Sequence, residues 1–291
     1  MAKRPIKYSV VDAFTESAFK GNPAAVCFLD DEDERDKAWL QSVAAEFNIS
    51  ETCFLSPIAG SGVPRFRLRW FTPVTEVDLC GHATLASAHT LFSNGLVDSD
   101  IVEFATISGI LTAKRVPDAL EFNGGEAKES FFIELDFPLI QTCEDNSSDV
   151  SMLSKALNGA TIVDVKRSAS DRLIVELPSW ESVMELQPRM DEIVKCPALG
   201  IIVTAAAPTG SAYDFCSRFF APQLGIDEDP VCGSAHCALT HYWSLKLNKC
   251  DFLAEQVSHR SGTLRIHLDK ETKRVFLRGK AVAVMEGLIL V

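Results

Sequence analysis

The chain has 291 residues, 47% of them hydrophobic and 23% charged, the balance of a soluble globular protein with one large domain or two ordinary ones. A formal net charge of −12 opposes binding to nucleic acid or an anionic membrane, yet it is compatible with a locally positive pocket for a small anion. No run approaches the roughly 18 apolar residues of a membrane helix, and the basic start at 1–5 leads into strand-like alternation, with no apolar h-region. Nine cysteines, an odd count without a secretory pattern, read as reduced thiols in a cytoplasmic protein.

In chain order, β-forming residues at 6–14 predict a first strand, and Gly21-Asn22-Pro23 a turn. A second strand follows at 24–29. The acidic run at 30–36 supplies negative charge to a helix start. Residues 37–47 place Trp39, Leu40, Val43, Ala44 and Phe47 at helical spacing, closed by Asn48. Strands are expected at 51–55 and 65–71. Residues 84–92 form a helix with small residues on most of its surface, a pattern of enclosure by other structure, and Asn94-Gly95 ends it. Strands at 101–104, 111–116 and 131–137 precede a polar linker at 143–149. A helix at 151–157, strands at 162–167 and 172–177, and a helix at 180–186 come next. Strands at 200–206 and 212–220, a helix at 235–246 and three strands within 263–291 complete the chain. Many strands, few helices and no strict alternation favour an α+β fold.

One pattern occurs twice. Arg69-Trp70-Phe71-Thr72-Pro73 is followed by Cys80-Gly81-His82-Ala83, Ala86 and His89; Arg218-Phe219-Phe220-Ala221-Pro222 is followed by Cys232-Gly233-Ser234-Ala235, Ala238 and His241. Two fragments repeated in the same order indicate a pseudo-symmetric pair of halves. Each half then has a strand, a loop and a Cys-Gly step into a central helix. Glycine permits close backbone approach, and the unpartnered first-turn N–H groups with the helix dipole favour an anion. Two such entrances facing one cleft suit a small carboxylate.

These residues carry a family resemblance. Val11-Asp12-Ala13-Phe14 with Gly21-Asn22-Pro23, Ser50-Glu51-Thr52, Asp78-Leu79-Cys80-Gly81-His82-Ala83-Thr84 and Glu228-Asp229-Pro230-Val231-Cys232-Gly233-Ser234-Ala235-His236 together resemble the phenazine-biosynthesis PhzF-like family. That family shares the diaminopimelate epimerase fold. The resemblance implies two pseudo-symmetric domains, each a curled, mostly antiparallel sheet or barrel around a central helix. The expected domains are 1–118 plus 281–291, with the last strand returning, and 119–280. It also implies cofactor-independent isomerisation by acid–base catalysis in the interdomain cleft. The expected partners are a small anionic substrate and a second copy in a homodimer. The family's acid–base glutamate matches Glu51, and its substrate-contacting set matches Gly81, His82, Asp229, Gly233 and Ser234.

Taken alone, Glu51 reads as a surface carboxylate; with the resemblance it is the expected proton carrier, provided burial tunes it toward neutrality. His82 and Asp229 are expected to orient or polarise the substrate, although a structural histidine and a turn aspartate are the plain readings. Ser234 can cap its helix or touch the ligand. Asn22 is a substrate-binding or turn residue. His89, His236 and His241 read as structural.

Cys80 and Cys232 offer an alternative, a two-thiol racemase or epimerase of an amino-acid-like substrate, because a helix N-terminus lowers a thiol pKa. The family commonly has threonine at the second position. Cys80, His82, Cys232 and His236 lack a usual zinc spacing, so no metal is expected. No nicotinamide or phosphate-loop fingerprint is present, and no cofactor is expected. A small-molecule-binding protein without turnover is the remaining alternative.

Overall fold

The computed structural model describes residues 5–30, 35–60, 62–118, 130–145 and 150–290. The chain divides into two compact units, Met1–Asp136 with Arg278–Val291 and Phe137–Leu277. The elements run β1 (Ile6–Ala13), β2 (Asn22–Phe28), α1 (Lys37–Phe47), β3 (Glu51–Ile58), β4 (Arg65–Phe71), β5 (Glu76–Val77), α2 (Gly81–Ser93), β6 (Ile101–Thr106), β7 (Gly109–Pro117) and β8 (Phe131–Pro138). They continue with β9 (Thr142–Glu144), α3 (Val150–Ala156), β10 (Asp164–Ser168), β11 (Arg172–Glu176), α4 (Trp180–Met184), α5 (Met190–Ile193), β12 (Gly200–Ala206) and β13 (Phe215–Ala221). A 3₁₀ turn at Pro222–Leu224 leads to β14 (Ile226–Asp229), α6 (Gly233–Leu247), β15 (Asp251–Gln256), β16 (Gly262–Asp269), β17 (Arg274–Gly279) and β18 (Ala281–Ile289).

The expected α+β class holds. The division falls after Asp136, whereas the sequence reading put it after 118, because β8 pairs antiparallel with β7 and extends the first unit. The last strand, β18, pairs with β1 along its length, with a bulge between Val10 and Val11. The expected linker at 143–149 is part strand, since Cys143 pairs with Arg167 in β10; 146–149 lie outside the described residues. Of the acidic run, 31–34 also lie outside them, and Asp36 caps α1 by accepting from the Trp39 N–H at 2.8 Å.

The two units repeat one pairing scheme. In the first, β2 is parallel to β3, β3 antiparallel to β4, β4 antiparallel to β5, and β4 parallel to β6. In the second, β11 is parallel to β12, β12 antiparallel to β13, β13 antiparallel to β14, and β13 parallel to β15. The duplicated sequence is therefore a duplicated fold. It even includes the bracing of the β4–β5 and β13–β14 hairpins. Arg69 holds Glu76 with two hydrogen bonds of 2.6 and 2.9 Å, and Arg218 holds Glu228 at 2.7 and 2.9 Å. Each guanidinium also lies over a phenylalanine of its own strand, Phe71 and Phe220.

Each unit has one enclosed helix. Ten of the 13 residues of α2 are buried, and it touches β1, β2, β3, β7 and β18. Such enclosure suits a helix of Ala, Ser and Thr, whose hydroxyls need partners when buried. Thr84, Ser87 and Thr90 donate to carbonyls one turn back at 2.6, 2.8 and 2.8 Å. Helix α6 is enclosed in the same way, with Thr240 donating to the His236 carbonyl at 2.6 Å. Larger apolar residues pack outside these helices: Leu40, Val43 and Ala44 of α1 against Cys27, Phe54 and Phe71, and Leu153 and Val183 against Leu173, Ile201 and Val203. Among the described residues, no helix is long and apolar enough to cross a membrane.

Candidate active site

In the first unit, three elements bring Asn22, Glu51, Cys80 and His82 together. Asn22 opens β2, Glu51 opens β3, and Cys80 is the N-cap of α2, with Gly81 and His82 its first two residues. Parallel pairing aligns the starts of β2 and β3, with Ala24 opposite Glu51. Glu51 is 7% exposed, and Asn22 and His82 are buried. The Asn22 amide Nδ2 donates to His82 Nδ1 at 3.2 Å. That assigns the neutral ring's proton to Nε2. Nε2 lies 3.1 Å from Glu51 Oε2, at ion-pair distance without the alignment of a hydrogen bond.

Cys80 Sγ lies 3.4 Å from His82 Nδ1. Glu51, Cys80 and His82 thus offer donor atoms within 4.8 Å of one another. Glu51 and Cys80 nevertheless approach opposite nitrogens of one imidazole. A single ion could not take all three in that arrangement, since each ring nitrogen's lone pair points its own way. His236 is also committed, with Nδ1 2.8 Å from the Cys232 carbonyl and Nε2 3.5 Å from Ser217 Oγ.

In the second unit, Asp229 ends β14, Cys232 is the N-cap of α6, and Gly233 and Ser234 are its first residues. The turn between them is clamped by Gln256, a fully buried residue that the sequence did not single out. Its Oε1 accepts from the Cys232 N–H at 2.9 Å and its Nε2 donates to the Asp229 carbonyl at 2.5 Å. Ser258 adds a hydrogen bond to the Pro230 carbonyl at 2.8 Å. Ser234 does not cap its helix. Its Oγ accepts from Arg172 Nη1 at 2.7 Å and lies 3.3 Å from Cys232 Sγ. Arg172 is the second residue that the sequence reading missed. Neither α2 nor α6 has a side-chain N-cap hydrogen bond, unlike α1 and α4, which are capped by Asp36 and Ser179. Their first-turn donors therefore have no side-chain cap.

The helix dipole does not dominate at Cys232. Burial pushes its thiol up to about 12, the Asp229 charge adds to this, and Arg172 opposes it. The lowered thiol pKa expected at a helix start is corrected here. The structural reading of the other histidines is supported by their surroundings. Burial lowers His89 and His236 to about 4. His89 stacks on Phe131, and His241 Nδ1 accepts from the Thr142 N–H at 3.1 Å.

A family model described as phenazine biosynthesis-like protein matches residues 11–287. The chain is 46% identical over 282 residues to an uncharacterized isomerase of Halalkalibacterium halodurans, covering 97% of both. A crystal structure of a PhzF-family phenazine biosynthesis protein from Enterococcus faecalis matches with a TM-score of 0.85 at 37% identity, covering 99% of this chain and 100% of that one. A hydroxyproline epimerase from Agrobacterium vitis, solved with bound trans-4-hydroxy-L-proline, shares the fold at a TM-score of 0.63 and 11% identity, covering 99% of this chain and 92% of that one. The motifs at the two helix entrances thus sit in a fold common to isomerases and epimerases, and the chain belongs to the phenazine biosynthesis-like protein family.

Proposed function

We propose that this protein is a cofactor-independent isomerase that moves a proton on a small carboxylate-bearing molecule, with Glu51 as the proton carrier. The observation that carries the reading is the buried Glu51 carboxylate 3.1 Å from a His82 ring whose other face is held by Asn22. A fold does not need a buried acid at a strand start beside a helix entrance that lacks a side-chain cap. A site for proton transfer does. Relatives named isomerase support the same class.

The chemistry is redox-neutral. The Glu51 carboxylate takes a proton from one carbon, the electron pair spreads into the substrate's conjugated system, and the Glu51 carboxyl, after its proton exchanges with solvent, protonates another carbon. His82 orients the carboxylate and offers its Nε2 proton to the developing negative charge. Gly81 and Gly233 supply first-turn N–H groups, and Asp229 and Ser234 contact the substrate's polar substituents. That both entrances serve one substrate belongs to the proposal and rests on the duplicated motif.

The two-thiol reading is weaker because Cys232, pushed up to about 12, is a protonated thiol at neutral pH and a poor base. Alkylation with iodoacetamide separates the two: loss of turnover on modifying both thiols, with C80S and C232S equally inactive, favours the thiol pair.

The main test is a metabolite screen in deuterated water. The wild-type protein incorporates deuterium at carbon in one carboxylate-bearing metabolite, and Glu51→Gln does so roughly 10²–10⁴-fold more slowly with an unchanged fold. Full incorporation by that variant overturns the assignment. Binding without any incorporation by the wild type points instead to a non-catalytic binding protein.

A further inference from the structure

The repeated pairing scheme shows what stands in the second unit where the first has its glutamate. Thr52 is opposite Phe71, and Ile201 is opposite Phe220, the matching residues of the duplicated strands. One step back, Glu51 corresponds to Gly200. Across the parallel pair, Ala24 opposite Glu51 corresponds to Arg172 opposite Gly200. A side chain has no room at Gly200: a Cβ there would lie 2.7 Å from the Phe219 ring and 2.9 Å from the Phe220 carbonyl oxygen. The Phe219 ring is in turn the platform for Arg172, whose guanidinium carbon lies 5.0 Å from the ring centroid.

We infer that Arg172 is the residue that selects a carboxylate as the substrate's anionic group; the word "substrate" rests on the isomerase reading, the anion selectivity does not. Arg172 is half-buried, and among the described residues no carboxylate pairs with it. Arg65, Arg69, Arg115, Arg167, Arg218 and Arg278 all have such a partner. Arg172 makes one side-chain hydrogen bond, to Ser234 Oγ, and its buried Nε has no hydrogen-bond partner. The chain carries 40 acidic residues against 28 Lys and Arg, so leaving a half-buried guanidinium without a carboxylate is not forced by a shortage of acids. An uncompensated buried charge and donor are costly. A planar oxyanion supplies both the charge and the acceptors that the fork lacks. Stacking on Phe219 and the bond to Ser234 hold the guanidinium in place before the anion arrives, which limits the ordering cost of binding.

The test measures binding of acetate and benzoate, against their neutral counterparts acetamide and benzamide, by calorimetry and thermal shift on the full chain. The wild type binds at least one carboxylate and neither amide. Arg172→Gln weakens that carboxylate about tenfold or more, and Arg172→Lys, which keeps charge but loses the fork, weakens it severalfold. Equal binding of acid and amide, no carboxylate binding by the wild type, or wild-type affinity in both Arg172 variants overturns the inference. Should Arg172→Gln not fold, the lysine variant and the acid–amide preference still decide it. Glu51→Gln separates this from the isomerase reading: it keeps carboxylate binding if Arg172 selects the anion, whatever happens to deuterium incorporation.

Discussion

The two helix entrances share a frame and differ in what they present. Both begin at an N-cap cysteine without a side-chain cap, and both follow a hairpin braced by an Arg–Glu pair. At matched positions the first unit has Glu51 and His82, and the second has Gly200 and Ser234 with Arg172 beside them. The duplicated backbone thus positions two helix starts, and in the function proposed above the side chains divide the work into proton transfer and anion recognition. The separation makes chemical sense within each unit. An arginine at the Ala24 position would hold the Glu51 carboxylate ionised and blunt it as an acid; the first unit has a neutral Asn22 and an imidazole near it instead.

The sharpest break in the comparison is functional. Glu51→Gln is expected to remove deuterium incorporation by roughly 10²–10⁴-fold, with no counterpart loss available at Gly200. The bracing pairs give the next effect. Arg218→Met removes the Glu228 pair and also hydrogen bonds to the Val183 and Leu186 carbonyls at 3.3 and 2.6 Å. Arg69→Met leaves Glu76 with Lys37 at 2.9 Å. Chemical denaturation should therefore show a loss of about 2–3 kcal/mol for the former and about 1 kcal/mol less for the latter. Equal losses would mean that the carbonyl contacts contribute nothing.

Gly200→Ala is expected to cost about 1–3 kcal/mol from overpacking against Phe219, whereas Glu51→Ala, at the matched position, should leave the melting temperature nearly unchanged. A tolerated Gly200→Ala would show that the ring can shift, and the two positions would then be less different than their sequences suggest.

Each unit also holds a neutral imidazole, the half-buried His89 and the fully buried His236, lowered by burial from 6.5 to about 4. The unfolded chain therefore binds these protons first. Their stabilisation is complete above about pH 6.5 and declines as the pH falls toward 4. Glu76, held below its usual 4.5 mainly by Arg69, keeps its contribution above that value and loses it at more acid pH. Melting curves across this range should steepen below pH 6.5, and His236→Gln should flatten them. The smallest effect is expected for Cys232→Ser, with turnover within a few-fold of wild type.

The duplicated motif and the enclosed central helices were legible because each is a local pattern, a repeated string and small residues around a helix; the returning strand was expected only from the family resemblance. Helix 37–47 was readable to the residue, since the spacing of Leu40, Val43 and Ala44 coincides with its buried face. Gln256 and Arg172 were not legible. Both act through partners 24 or more residues away, and neither sits in a distinctive string. The Gly200 counterpart of Glu51 was hidden for the same reason: it appears only when strand register is known. The expected thiol activation at Cys232 failed because sequence shows the helix start but not the burial that outweighs it. The shortest strands, β5, β9 and β14, were missed because two, three and four residues carry no period.

The strand that pairs with β1 is made of residues 281–289, so it leaves the ribosome after the whole of 137–277. Until then β1 has β2 on one side and an open edge on the other. The second unit, contiguous in sequence, can complete its own contacts while the first still waits for its final strand. In the order of synthesis, the half that holds Glu51 and His82 can close only after residues 281–289 are made. A chain halted before residue 281 would carry Glu51 and His82 in a unit whose sheet has one side unfinished, exposed to pairing with other strands.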